Sequence, residues 1–148
     1  MWQQLDGLTG LLNQNSYLNK TDALSQNGTL IVFDIDDFKK INDNYGHLIG
    51  DQCLKEIAAS IKKAYSKDGF CYRIDGDEFC VLLKENADAE ADYRKLINEL
   101  NSRRKMQNYL PYVSIGSASF TAGDDILTVK ETADQNMYQF KRRKKAGK

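Results

Sequence analysis

Four acidic side chains, Asp34, Asp36, Asp77 and Glu78, stand where the chain passes from apolar residues into acid. One such place is the run IVFDIDDFKK and the other is RIDGDEFCVL. Carboxylates delivered by two rigid strand ends can converge on one divalent cation, a common arrangement where phosphates are handled. Asp34, Asp77 and a backbone carbonyl such as that of Ile35 suit Mg²⁺, which takes few protein ligands and completes its octahedron with water and phosphate oxygens. A plainer account stands beside this one: Asp34, Asp36 and Asp37 cap a helix, and Asp77 sits in a solvated turn. An EF-hand loop starting at Asp34 is excluded, because Lys39 occupies the position that needs glycine.

Lys39, Lys141 and Lys145 are the local cations for a polyphosphate, the last two spaced to share one helix face. A basic helix end complementing the helix dipole accounts equally for Lys141 and Lys145. Asn42 and Asp51 could read the edge of a base, since an amide both donates and accepts while a carboxylate accepts from ring N–H and exocyclic amine. Helix capping is the alternative for both.

These residues need elements to hold them. A moderate helical pattern runs from Asn13 to Leu24, and Thr29–Ile35 is a near-continuous apolar run expected of a central strand buried on both faces. Asp36 or Asp37 can cap a short helix ending at Gly46, and a second helix begins after Gly50 with Cys53, Leu54, Ile57, Ala58 and Ile61 at helical spacing. Strands at about Gly69–Ile74 and Glu78–Leu83 flank Asp75-Gly76, the dipeptide of a tight two-residue hairpin. A helix over Asp88–Arg104, a strand over Tyr112–Phe120 and a last helix capped by Asp124 or Asp125 complete the chain. With the first helix removed and the next pair merged, the order is βαββαβ, a ferredoxin-like split βαβ with an extra helix. An α+β fold follows, with a central antiparallel sheet and helices on one face. In that topology the first strand neighbours the hairpin, so Asp34 and Asp77 meet at one end of the sheet.

Composition bounds the partners. The 148 residues suffice for one domain, and equal numbers of acids and bases leave no net charge to favour a polyanion. Nucleic acid is therefore not an expected partner. The topology alone also fits an RNA-binding domain, but the neutral balance and acidic hairpin tip oppose that despite Tyr72 and Phe79. Cys53, Cys71 and Cys80 lie in apolar patterns without CxxC spacing, as small core residues of a reducing compartment. No apolar run approaches the roughly 18 residues of a membrane span, and no signal peptide opens the chain. Met1-Trp2 begins on a pattern already in progress, so a single domain excised from a longer protein is expected.

Five ordered motifs carry a resemblance. They are Asp6-x-Leu8-Thr9-Gly10-Leu11-x-Asn13, Phe33-Asp34-Ile35-Asp36-x-Phe38-Lys39-x-Ile41-Asn42-Asp43, Gly46-His47-x-x-Gly50-Asp51, Arg73-x-x-Gly76-Asp77-Glu78-Phe79 and Ala133-Asp134-x-x-Met137-Tyr138-x-x-Lys141. The chain resembles the GGDEF domain, the catalytic domain of diguanylate cyclases, over nearly its whole length. The resemblance implies a palm-type βααββαβα fold and the condensation of two GTP into cyclic di-GMP by a face-to-face, transient homodimer. It implies two Mg²⁺ per active site, with Mn²⁺ as an alternative. By position, Asp34, the Ile35 carbonyl and Asp77 hold metal, with Asp77 also the base and Glu78 supporting it. Asn42 and Asp51 read guanine, Lys39, Lys141 and Lys145 hold phosphates, and Asp75 and Gly76 lie against the triphosphate. A cytoplasmic location follows, alone or as the cytoplasmic part of a membrane-anchored protein with a fused sensory region.

The chain also departs from the family pattern. Asp75 replaces the first signature glycine, bringing a charge near the phosphates worth roughly 3 kcal/mol of repulsion at about 5 Å and an effective dielectric near 20. This implies weakened or absent turnover, and a second function as a silent module that binds GTP or a protein partner. Ser66-Lys67-Asp68-Gly69 stands where the product-inhibition motif Arg-x-x-Asp is expected, so product feedback there is expected to be absent. Gln14 and Lys144 replace an arginine and a glycine, and His47 is expected to play a structural hydrogen-bonding part.

Overall fold

The computed structural model describes residues 4–21, 24 and 26–146. Nine elements follow in the order α1 Gln14–Thr21, β1 Gly28–Ile35, α2 Phe38–Tyr45, α3 His47–Tyr65, β2 Gly69–Asp75, β3 Glu78–Lys84, α4 Ala89–Met106, β4 Val113–Phe120 and α5 Ile126–Ala146. The four strands form one antiparallel sheet in the order β2-β3-β1-β4. That is the expected split βαβ, with β1 beside the hairpin.

Helices cover both faces of the sheet, where the sequence pattern led us to expect one. β1 explains why. Its Ile31, Phe33 and Ile35 enter a core with Leu54, Ile57 and Ile61 of α3 and Leu96 and Leu100 of α4. Its Leu30 and Val32 enter a second core with Tyr17 of α1 and Val129 and Ala133 of α5. A strand apolar on both faces from Leu30 to Phe33 has two faces to remove from water, and one helical layer covers only one. β4 accommodates α5 through Gly116, where a Cβ would lie 2.2 Å from the Ala133 carbonyl oxygen and 2.3 Å from the Met137 nitrogen.

Among the departures from the expected boundaries, two helix ends and the hairpin loop stand out. The first helix ends at Thr21, and Leu24 lies beyond it; residues 22, 23 and 25 are outside the described residues. α3 starts at His47, before Gly50, so Asp51 lies inside the helix and caps nothing. The break is made by Gly46 at φ 87°, a conformation side chains disfavour. Its N–H closes α2 on the Asn42 carbonyl, and its own carbonyl accepts the Gly50 N–H.

The hairpin loop is Gly76-Asp77, one residue later than the expected Asp75-Gly76. An irregularity between Arg73 and Asp75 shifts the register so that Asp75 pairs with Glu78. Neither loop residue needs a left-handed backbone. The shift places the Asp77 carboxylate at the tip.

Candidate functional site

β1 and β3 run antiparallel with Asp34 opposite Glu78, and the Ile35 N–H donates to the Asp77 carbonyl at 3.2 Å. The two acidic stretches are thereby joined at one end of the sheet. Alternation along each strand then distributes the acids. Asp34 and Glu78 share the face of Leu30, Val32, Cys80 and Leu82, which α5 covers. Asp77, in the turn, faces the other way into a cleft between the hairpin and the α2–α3 corner.

That cleft, about 420 Å³, is lined by Phe38, Lys39, Asn42, His47, Asp51, Leu54, Arg73, Gly76 and Asp77. Five residues expected from sequence therefore meet there: Lys39, Asn42, Asp51, Gly76 and Asp77. Phe38 and Leu54 provide apolar wall, while Asn42 and Asp51 supply a donor–acceptor edge. Gly50 makes room for this edge, since a Cβ there would stand 1.9 Å from Asn42 Oδ1.

Lys141 and Lys145 lie outside the cleft. They line a neighbouring hollow of about 360 Å³ with Asp36, Asp37, Tyr112, Ser114 and Lys144. Lys141 forms an ion pair with Asp34, and Lys144 pairs with Asp36 at 2.7 Å while donating to the Val113 carbonyl at 2.9 Å. Asp36 also accepts from the Ser114 hydroxyl at 2.6 Å. Asp36 is thus no helix cap. Asp37, which does precede α2, is left-handed at φ 54° and makes no side-chain capping bond.

Burial pushes the Asp77 carboxyl above its ordinary range, and the charges of Asp34 and Asp75 push the same way against the Lys141 ammonium. Burial likewise raises Glu78, opposed by Lys130. Against the downward pull of burial, Asp34 at close range, then Asp36 and Asp77, hold Lys141 above the usual lysine range. Two mutually repelling, partly buried carboxylates beside phosphate-sized space are a donor set that a divalent oxygen-seeking ion fits. Among the described residues no group of three or more His, Cys, Asp or Glu side chains is arranged to hold a metal.

Sequence reasoning gave no role to the side chains that brace the hairpin, although Asp6, Thr9, Arg73 and Asp134 stand in its motifs. Arg73 donates from Nε and Nη2 to the Gly76 carbonyl at 3.0 and 2.7 Å, and from Nη1 to Asp6 at 3.1 Å. Asp6 in turn accepts from the Thr9 N–H and hydroxyl at 2.8 and 2.7 Å. On the other face Lys130 joins Glu78 at 3.3 Å to Asp134 at 2.8 Å. Only the four-residue spacing of Lys130 and Asp134 was readable locally. Asp75 is exposed, and its Oδ1 accepts the Gly76 N–H at 2.7 Å.

Residues 3–147 match the family described as "Diguanylate cyclase, GGDEF domain". The chain belongs to the GGDEF domain family. This GGDEF domain is 33% identical over 149 residues to the diguanylate cyclase DgcS of Shewanella oneidensis, covering 95% of the chain and 50% of that protein. It is 32% identical over 146 residues to the cyclic di-GMP phosphodiesterase PdeR of Escherichia coli, covering 92% of the chain and 22% of that protein. The chain thus spans half or less of the length of these curated relatives. Among solved structures, the GGDEF domain of DgcB from Caulobacter crescentus, in complex with c-di-GMP, superposes with a TM-score of 0.83 at 29% identity. That match covers 96% of this domain and 92% of DgcB's chain. The GGDEF signature is DGDEF here, on the β2–β3 turn.

Proposed function

We propose that this GGDEF domain is a diguanylate cyclase module, in which two copies, each holding one GTP, meet face to face and condense the nucleotides to cyclic di-GMP. The observation that carries the reading is the convergence of Lys39, Asn42, Asp51, Gly76 and Asp77 on one cleft beside Asp34. Asn42 and Asp51 address the guanine edge, with Phe38 and Leu54 against the ring. Lys39, Lys141 and Lys145 take the phosphates. Asp34, Asp77 and the Ile35 carbonyl would hold Mg²⁺ or Mn²⁺, which when bound polarises the phosphate and neutralises its charge.

Asp77 accepts the 3′-hydroxyl proton as that oxygen attacks the α-phosphorus of the partner's GTP. The α–β phosphoanhydride bond breaks and pyrophosphate leaves. Lys39 and Lys141 stabilise the charge that builds on the phosphoryl oxygens. The buried cysteines and the use of GTP agree with a cytoplasmic setting, and among the described residues no helix is long and apolar enough to cross a membrane. A sensory region in a longer protein would supply the control.

The second reading is a silent module that binds GTP or a protein partner, and Asp75 is what favours it. Its carboxylate occupies the Gly76 N–H, a backbone donor on the signature turn. Being exposed, it is better screened than a buried charge, so the repulsion toward a polyphosphate falls to roughly 1–2 kcal/mol, about tenfold in affinity. That is too little to abolish binding. The deciding experiment incubates the domain with GTP and Mg²⁺ and measures cyclic di-GMP and pyrophosphate, with Asp34→Ala and Asp77→Ala as controls. Product that vanishes in both controls supports the cyclase. Metal-dependent GTP binding without product at high protein concentration leaves the silent module.

A further inference from the structure

Asp34 and Glu78 are cross-strand partners beneath α5, and each already carries an ammonium from that helix. The two ion pairs differ in kind. Lys130 is held on two sides, by Glu78 and by Asp134 one turn along the same helix. Among the described residues Lys141 makes one ion pair, with Asp34, and its side chain is 31% exposed. It opens on the hollow shared with Lys144 and Lys145, where a polyanion finds cations. Lys141 is therefore engaged, yet placed to leave.

A lone divalent cation approaching the sheet end meets Asp34 covered by an ammonium, which repels it. Among the described residues no cluster of three acids gathers to hold a metal, so a cation at Asp34 and Asp77 finds few further ligands from the protein. A triphosphate changes both conditions. It brings oxygens of its own to the cation, and it offers Lys141 a second anion.

We infer that Lys141 is an exchangeable counter-ion: it covers Asp34 in the nucleotide-free protein and transfers to the phosphates of an arriving nucleotide, so that divalent cation binding is conditional on nucleotide. The inference rests on reading this end of the sheet as a GTP–metal site. It gives Lys141 two successive partners and sets an order in which metal enters with GTP.

The test titrates Mn²⁺ into the purified domain without nucleotide and follows the free ion by electron paramagnetic resonance. The wild type is expected to bind weakly, and Lys141→Met and Lys141→Gln at least about fivefold more tightly. Lys141→Arg keeps the charge and stays weak. Adding Asp34→Asn to Lys141→Met removes the gain. Wild type and both neutral variants binding Mn²⁺ alike, with matching circular dichroism and melting, overturns the inference, as does tight nucleotide-free binding by the wild type. Failure of the underlying reading shows separately, as a wild type that binds no Mn²⁺–GTP at all.

Discussion

Replacing Gly50 with alanine is expected to separate nucleotide recognition from stability. The new Cβ would stand 1.9 Å from Asn42 Oδ1, 3.0 Å from Asn42 Cγ and 3.5 Å from Phe38 Cζ. The obstructing atoms belong to the end of a polar side chain, so the carboxamide swings aside while the α2–α3 backbone stays in place. That adjustment costs on the order of 1 kcal/mol. Alanine inside a helix recovers about 0.5–1 kcal/mol relative to glycine, so net stability stays within about 1 kcal/mol of wild type. Recognition has no such offset. Turning the carboxamide leaves a base donor or acceptor unpaired in the cleft, at about 1–3 kcal/mol, or roughly 5- to 150-fold in affinity.

Calorimetric titration of GTP with Mg²⁺ against wild type, Gly50→Ala, Asn42→Ala and the double variant reads this directly. Because both single changes remove the same interaction, the double variant is expected to bind no worse than Asn42→Ala. A folded Gly50→Ala protein whose GTP affinity stays within twofold of wild type refutes the reasoning, for then Asn42 either keeps its place or reads nothing.

Asp75→Gly removes the exposed charge and frees the Gly76 N–H. GTP affinity or turnover is expected to rise about tenfold, and unchanged values in both assays count against the charge argument. Gly116→Ala sets a methyl against helix backbone, 2.2 Å from the Ala133 oxygen and 2.3 Å from the Met137 nitrogen, with no flexible end to give way. Overpacking of about 3 kcal/mol should lower the melting temperature by roughly 6–12 °C in a domain of this size. Asp92 is buried at 1% exposure with Oδ2 unpartnered, and burial followed by the Asp68 carboxylate pushes its pKa up to about 6. The folded state thus holds this proton more tightly than the unfolded chain. The contribution is present below about pH 4 and is lost as pH rises through about 6, amounting to at most about 3 kcal/mol. Urea unfolding between pH 4.5 and 7.5 is expected to show a gentler fall in stability for Asp92→Asn than for wild type, and parallel curves contradict the assignment.

Much of this domain was legible in order along the chain. The β-branched run of β1 and the helical spacing of α3 each report a local preference that the final packing respects, while the hairpin turns one residue later than Asp75-Gly76 signalled. Pairing β1 with the hairpin follows from the order of elements, so the approach of Asp34 to Asp77 could be anticipated, while the gathering of Lys39, Asn42 and Asp51 was implied by the family resemblance. Where local signals competed, they misled. Gly50 looked like the start of a helix, yet α3 begins at His47, directly after the expected stop at Gly46, and Gly50 instead serves a close approach to Asn42.

Only the tertiary structure decided where each acid points and what stands against it. A one-residue register shift near Ile74 turned Asp77 into the cleft, while strand alternation turned Asp34 and Glu78 under α5. Their partners come from far along the chain, 107 residues on for Lys141 and 52 for Lys130. A second apolar face on β1 demanded a second helical layer, and that layer brought the lysines with it. Local sequence patterns record which face of an element seeks burial; which distant charge arrives with the element that buries it is settled only when the pieces pack.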